Sequence, residues 1–153
     1  MYRLFRVRKH DPRCWGLMPW VFARVYKFTE SHDTVVTPQE MCELVQNAFI
    51  ADSPFLALWV VVSEQGDIVG HMLATAEPWG AEVLRYIMIR QAQVDPKVDI
   101  REQTAEAFQL CREWAKSLGV NKLTMLTPRK AETFARRWGF TKVRTMMERK
   151  LDT

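Results

Sequence analysis

The stretch VLRYIMIRQAQVDPKVDIREQTAEAFQLCREWAKSLG, residues 83–119, decides the architecture. It opens as a long apolar run, breaks at Asp95-Pro96, and continues as an amphipathic helix. Open α/β sheets bind ligands where a strand feeds a helix, because the first N–H groups of the helix lack intrahelical partners there. What residues 95–104 can hold is therefore the functional question.

Upstream of this stretch, residues 55–63 (FLALWVVVS) read as a buried strand. Glu64-Gln65-Gly66-Asp67 reads as a hairpin turn, with Gly66 free to take positive φ. Residues 68–76 (IVGHMLATA) pair back, and Gly70 within them predicts a bulge or a close backbone approach. The turn Glu77-Pro78-Trp79-Gly80 then leads into the long strand, with Trp79 at its tip. Earlier still, Thr37-Pro38-Gln39-Glu40 has the form of a capping box, with proline in the first turn. Met41, Leu44, Val45, Ala48 and Phe49 continue it as a helix to about Ala51. Asp11-Pro12 starts another helix, running to about Phe28 with a kink or a division at Pro19. Trp15, Trp20 and Phe22 within it form either core or a ligand-lining aromatic wall. Residues 2–8 alternate as a first strand.

Downstream, residues 122–126 (KLTML) read as a short strand and residues 130–138 as a short helix ended by Gly139. Residues 143–151 read as a last strand. The predicted fold class is α/β (α+β): one domain over residues 1–153, with a mixed, mostly antiparallel sheet. Its order is β-α-α-β-β-β-α-β-α-β, with helices on both faces.

With 153 residues, 48% hydrophobic and 26% charged, the chain is globular in composition. No apolar run approaches the ~18 residues of a membrane span, and the N-terminal residues lack an apolar signal core. No membrane association is expected. Cys14, Cys42 and Cys111 have no metal-ligand spacing and read as reduced thiols in a cytoplasmic setting, with Cys111 in the helix core. Charge is segregated. Residues 1–30 hold 7 basic and 2 acidic side chains, residues 31–110 hold 4 and 12, and residues 111–153 hold 11 and 4. The basic termini are either solvated surface or a face for nucleic acid or an acidic protein partner. Neither a P-loop, G-x-S-x-G, HExxH nor a Cys/His metal cluster occurs.

The joint spacing of four segments resembles the GNAT family of acyl-CoA-dependent N-acetyltransferases. They are GDIVGHMLA, the VDP closing the long strand, AKSLGVNKLTML, and AETFARRWGF, which is similar to the family's A-x-x-F-Y-x-x-x-GF ending. The likeness covers residues 56–151 and implies acetyl-CoA as cofactor if the chain is active. It also implies a pyrophosphate loop of the form R/Q-x-x-G-x-G/A. The gap-free register puts Asp99, Glu102 and Thr104 at its defining positions, within a segment that also holds Val94, Arg101 and Gln103. All three depart from the pattern. A glycine is needed where a Cβ would crowd the phosphates, and a carboxylate repels them. Without a ligand, Asp99 makes a helix cap and both acids suit the helix dipole, while Lys97 and Arg101 leave some positive charge nearby.

The resemblance also implies a general-acid tyrosine and an asparagine, whose positions are held by Ala135 and Pro128; Ala131 and Phe134 match as packing residues. Substitute acids could be Tyr86, His71, Glu82 or Cys111, with His71 more often structural than catalytic in such a strand. The expectation is a degenerate acetyltransferase-like protein, catalytically weak or inactive, acting as a binding or structural module with a protein partner or a second copy of itself. A working acyltransferase with an atypical loop is the alternative, and nucleic-acid contact the second. The wording is also similar to GNAT-like proteins of tailed bacteriophages, which would place it in the host cytoplasm or the virion.

Overall fold

The computed structural model describes residues 1–32, 36–78 and 83–125. Within them the order is β1 (Arg3–Arg6), α1 (Pro12–His32), α2 (Pro38–Phe49), β2 (Leu56–Val62), β3 (Ile68–Glu77), β4 (Tyr86–Val94), α3 (Arg101–Ser117) and β5 (Leu123–Met125). The five strands form one sheet in sequence order. β1 to β4 are antiparallel neighbours, and β5 joins β4 in parallel after the α3 crossover. The expected last helix and last strand lie outside the described residues.

Two apolar cores sandwich the sheet. Val45 and Phe49 of α2 and Val21 and Val25 of α1 pack on Leu58, Val60 and Leu73. On the other face Phe108, Cys111 and Trp114 of α3 pack on Trp59, Met72, Ile87 and Ile89. The alternation of β3 explains this division. From Gly70 onward its odd positions face α1 and its even positions face α3, so each helix layer meets its own side-chain set; before that, Ile68 packs on the α1 side and Val69 with Ile100.

Local chemistry explains most boundaries. Thr37 caps α2, accepting the Glu40 N–H at 3.2 Å with Pro38 in the first turn. Asp11 accepts the Arg13 N–H at 3.0 Å at the start of α1. Gly66 takes φ +87° in the β2–β3 hairpin, and Gly119 takes φ +74° after α3.

Three expectations need correction. Of the kink or division expected at Pro19, the division is absent: α1 runs as one helix from Pro12 to His32, with Pro19 on its exposed side. Trp15 and Trp20 are neither core nor a cavity wall, being 55% and 70% exposed. The buried stripe of α1 is instead Cys14, Met18, Val21, Val25 and Thr29, spaced by three or four residues. Asp99 is not the N-cap residue of α3, which is Ile100 with no side-chain cap bond, although Asp99 accepts the Arg101 N–H at 3.3 Å. Ile100 is a buried plug packed with Val61 and Val69, and that packing sets where the helix starts.

Candidate functional site

The junction between β4 and α3 encloses a cavity of about 560 Å³, within the range of small-molecule sites. Trp59, Val61, Gly70 and Met72 of the sheet line it, and Phe108 and Ala107 of α3 close it from above. Residues 94–104 form its mouth, so this is the place the sequence singled out. Gly70 is needed here for space. A Cβ on it would lie 2.8 Å from Ile100 Cδ1 and 3.2 Å from the Gln93 carbonyl oxygen. The expected close backbone approach is therefore present, together with a register shift at Val61/Val62 opposite it.

At the mouth, α3 has already begun by Glu102 and Thr104. The Thr104 N–H and hydroxyl both donate to the Ile100 carbonyl, at 2.9 Å each. Asp99 lies one residue before the cap and binds Arg101, whose Nε and Nη2 donate to its two carboxylate oxygens at 3.0 and 2.8 Å. The Arg101 guanidinium holds the Asp99 carboxyl below its ordinary range. Both side chains are mostly exposed, at 79% and 65% for Arg101 and Asp99. Glu102 is exposed beside them. Arg101 is thus already paired, and residues 99–102 carry one net negative charge, with exposed Lys97 just before them.

On the opposite face, under α1, lies a polar layer. Arg24 donates through three nitrogens: Nε to His71 Nδ1 at 3.0 Å, Nη1 to the Ile68 carbonyl at 2.9 Å, and Nη2 to Asp95 at 2.8 Å. The Arg24 bond requires Nδ1 of His71 to be the acceptor, so Nε2 carries the proton and donates to Gln91 Oε1 at 2.9 Å. Gln91 in turn donates to Thr29 Oγ1 at 2.6 Å, and Thr29 donates to the Val25 carbonyl at 2.8 Å. Burial holds the His71 imidazole neutral, lowering its pKa to about 4. Further along the same face Arg90 donates to Thr75 at 3.1 Å and to Glu77, and Thr75 donates to Glu77 at 2.9 Å. A register shift in β4 between the partners of Leu73 and Ala74 brings Arg90 and Gln91 onto this face together.

The structure brings part of the sequence candidates together. Val94, Asp99, Arg101, Gln103 and Thr104 line the cavity, as does His71, while Glu102 stands outside its lining. His71 has both ring nitrogens committed, so taking a substrate proton would displace Arg24. Tyr86 sits at the start of β4 opposite Glu77, away from the cavity lining. Cys111 is buried among apolar side chains, and burial pushes its thiol up to about 12. Glu82, Trp79, Pro128, Ala131, Phe134 and Ala135 lie outside the described residues. So do the C-terminal basic side chains from Arg129 onward.

The Arg24–Asp95 link and the Thr75–Glu77–Arg90 cluster were not anticipated. Their one sequence signal is the pair Arg90-Gln91, which with Gln93 interrupts the apolar run of β4. Among the N-terminal cations, Arg8 pairs with Asp52 at 3.6 Å and Arg13 with Asp11 at 2.6 Å. No described helix is long and apolar enough to cross a membrane.

No protein-family model and no curated protein matches the chain. Solved structures do. A Trypanosoma brucei acetyltransferase superposes with a TM-score of 0.64 at 19% identity, over 99% of this chain and 100% of its own. Glucosamine-6-phosphate N-acetyltransferase from Arabidopsis thaliana gives 0.65 at 14% identity, over 99% of each chain. An aminoglycoside acetyltransferase from an uncultured soil metagenomic sample gives 0.64 at 12%, over 99% and 97%. Strand order, crossover and superposition together show that this chain has the fold of the GNAT acetyltransferases.

Proposed function

We propose that the protein is a GNAT-fold binding module in which acetyl transfer is weak or lost. The observation that carries this reading is the bidentate Asp99–Arg101 pair beside an exposed Glu102 at the start of α3. An acyl-CoA diphosphate approaching that helix end would meet two carboxylates. Its natural counter-ion, Arg101, is already engaged. Each carboxylate repels the diphosphate, an effect that water and salt screen at such exposure. The side chains of Glu102 and Thr104 stand where the resemblance calls for glycine. A fold persists independently of the site grafted on it, so the architecture is compatible with a binding role. Exposed Trp15 and Trp20 on α1 support a protein partner or a second copy of the chain as what is bound.

One observation favours a second reading, a working acyltransferase with an atypical loop. The cavity is present, and an exposed ion pair contributes only about 0–1 kcal/mol. Phosphate could therefore draw Arg101 away from Asp99 at little cost.

The test is to rebuild the cradle. The variant Asp99→Arg/Glu102→Gly/Thr104→Gly is expected to bind acetyl-CoA at least about tenfold more tightly than the parent, as measured by calorimetric titration. Unchanged affinity would contradict the proposal, because the altered side chains would then not be what excludes the cofactor.

A further inference from the structure

A second cavity, of about 340 Å³, lies against the C-terminal half of α3. Its walls are Arg6, Trp59, Leu110, Glu113, Trp114 and Ser117, and only Trp59 is shared with the larger cavity. Arg6 reaches into it from β1. The guanidinium lies over both indoles, 5.7 Å from the Trp59 ring centroid and 5.6 Å from that of Trp114. Those two rings meet edge to face at 6.0 Å. The Trp114 indole is fixed in turn by donating to the Pro54 carbonyl at 3.2 Å.

Arg6 has five N–H donors. The structure uses one of its nitrogens, Nη2, to the Leu56 carbonyl at 3.1 Å. Among the described residues no carboxylate comes within ion-pair distance of it. Asp52, the carboxylate nearest in effect, is paired with Arg8 at 3.6 Å. Burial lowers the Arg6 pKa to about 10, which leaves it cationic at neutral pH. Arg6 is half-buried, and a guanidinium drawn partly out of water is stabilised by meeting an anion. Here the flat cation is clamped by aromatic faces, with unused donors beside a cavity.

We propose that this cavity binds a small apolar monocarboxylate, whose carboxylate bridges the free edge of Arg6 and whose body lies along Leu110 and the two indoles. Arginine's fork matches a carboxylate in two parallel bonds. The volume suits a single-ring acid. Glu113 stands on the exposed rim, its Oε1 accepting from Gln109 at 3.4 Å. It adds a negative charge that a monoanion tolerates better than a phosphate does. The site does not depend on acetyl-CoA or on the junction mouth.

Benzoate, phenylacetate and inorganic phosphate are titrated separately into ¹⁵N-labelled full-length protein, and the tryptophan indole N–H cross-peaks are followed. Both aryl carboxylates are expected to shift the Trp59 and Trp114 signals saturably, with a Kd near or below about 1 mM, while phosphate leaves them in place. Arg6→Lys, which keeps the charge and loses the fork, is expected to weaken binding about tenfold. Glu113→Gln is expected to strengthen it about two- to fivefold by removing like-charge repulsion. No saturable shift with either acid at about 10 mM, unchanged affinity in Arg6→Lys, or phosphate binding as tightly as benzoate would each overturn the proposal.

Discussion

His71 accepts from Arg24 on one side and donates to Gln91 on the other, so the whole chain from Arg24 to the Val25 carbonyl points one way. Protonation would make Nδ1 a donor facing a guanidinium. The folded imidazole has a pKa of about 4, against 6.5 in its ordinary state. Between those values the unfolded chain binds the extra proton. The stability linked to His71 is therefore fully present above about pH 6.5 and is lost as pH falls toward 4. The shift corresponds to roughly 3 kcal/mol. Urea unfolding at about pH 7.5 and 4.5 is expected to show a steep loss in the parent and a shallower one in His71→Gln; equal slopes would show that His71 does not titrate across the fold. The exposed carboxylates Asp11, Glu64 and Asp99 are held low by their cationic partners and lose that advantage only at the acid end of this range or below it. Gly70 gives a second residue-scale test. Gly70→Ala is expected to destabilise by about 1–3 kcal/mol through Ile100 and the Gln93 carbonyl. Adding Ile100→Val is expected to return part of that loss, and strict additivity in the double variant would contradict the packing account.

The elements divide by how local their causes are. α2 was legible because Thr37 and Pro38 stand at its start and its apolar stripe is regular. Thr37→Ala is expected to lower stability by about 1 kcal/mol, read from the urea midpoint, and no change would mean that the cap bond contributes nothing. The β2–β3 hairpin was legible from Gly66. α1 was misread because two tryptophans on its outer surface outweighed Cys14 and Thr29, which a hydrophobic pattern does not count. The start of α3 was misread because a cap rule favoured Asp99. Burying Ile100 stabilises more than a side-chain cap would, and tertiary packing moved the boundary. Nothing local in β4 reveals that its backbone slips by one residue against β3. Without that slip Arg90 and Gln91 would face opposite sides of the sheet, and the polar layer under α1 would not form.

For the molecule as a whole, the β2–β4 meander, the crossover into β5 and helices on both faces followed from hydrophobic period and turn chemistry, whereas the place of β1 beside β2 required the structure. The polar layer did not, because Arg24, His71 and Asp95 are joined across 47 and 71 positions of sequence. The departures at Asp99, Glu102 and Thr104 were visible in the sequence. The pairing of Asp99 with Arg101, which engages one of the two nearby cations, required the structure. A scaffold shared with acetyltransferases carries a ligand-sized cavity, and in the proposed reading its mouth repels the acyl-CoA diphosphate. Thermal unfolding of the unmodified protein with acetyl-CoA at about 1 mM tests that account most directly. An excluded cofactor, with a Kd weaker than ~1 mM, shifts the midpoint by less than about 1 °C. A shift of about 5 °C or more, the ~2.7 kcal/mol given by ligand at a hundredfold excess over Kd, would contradict it.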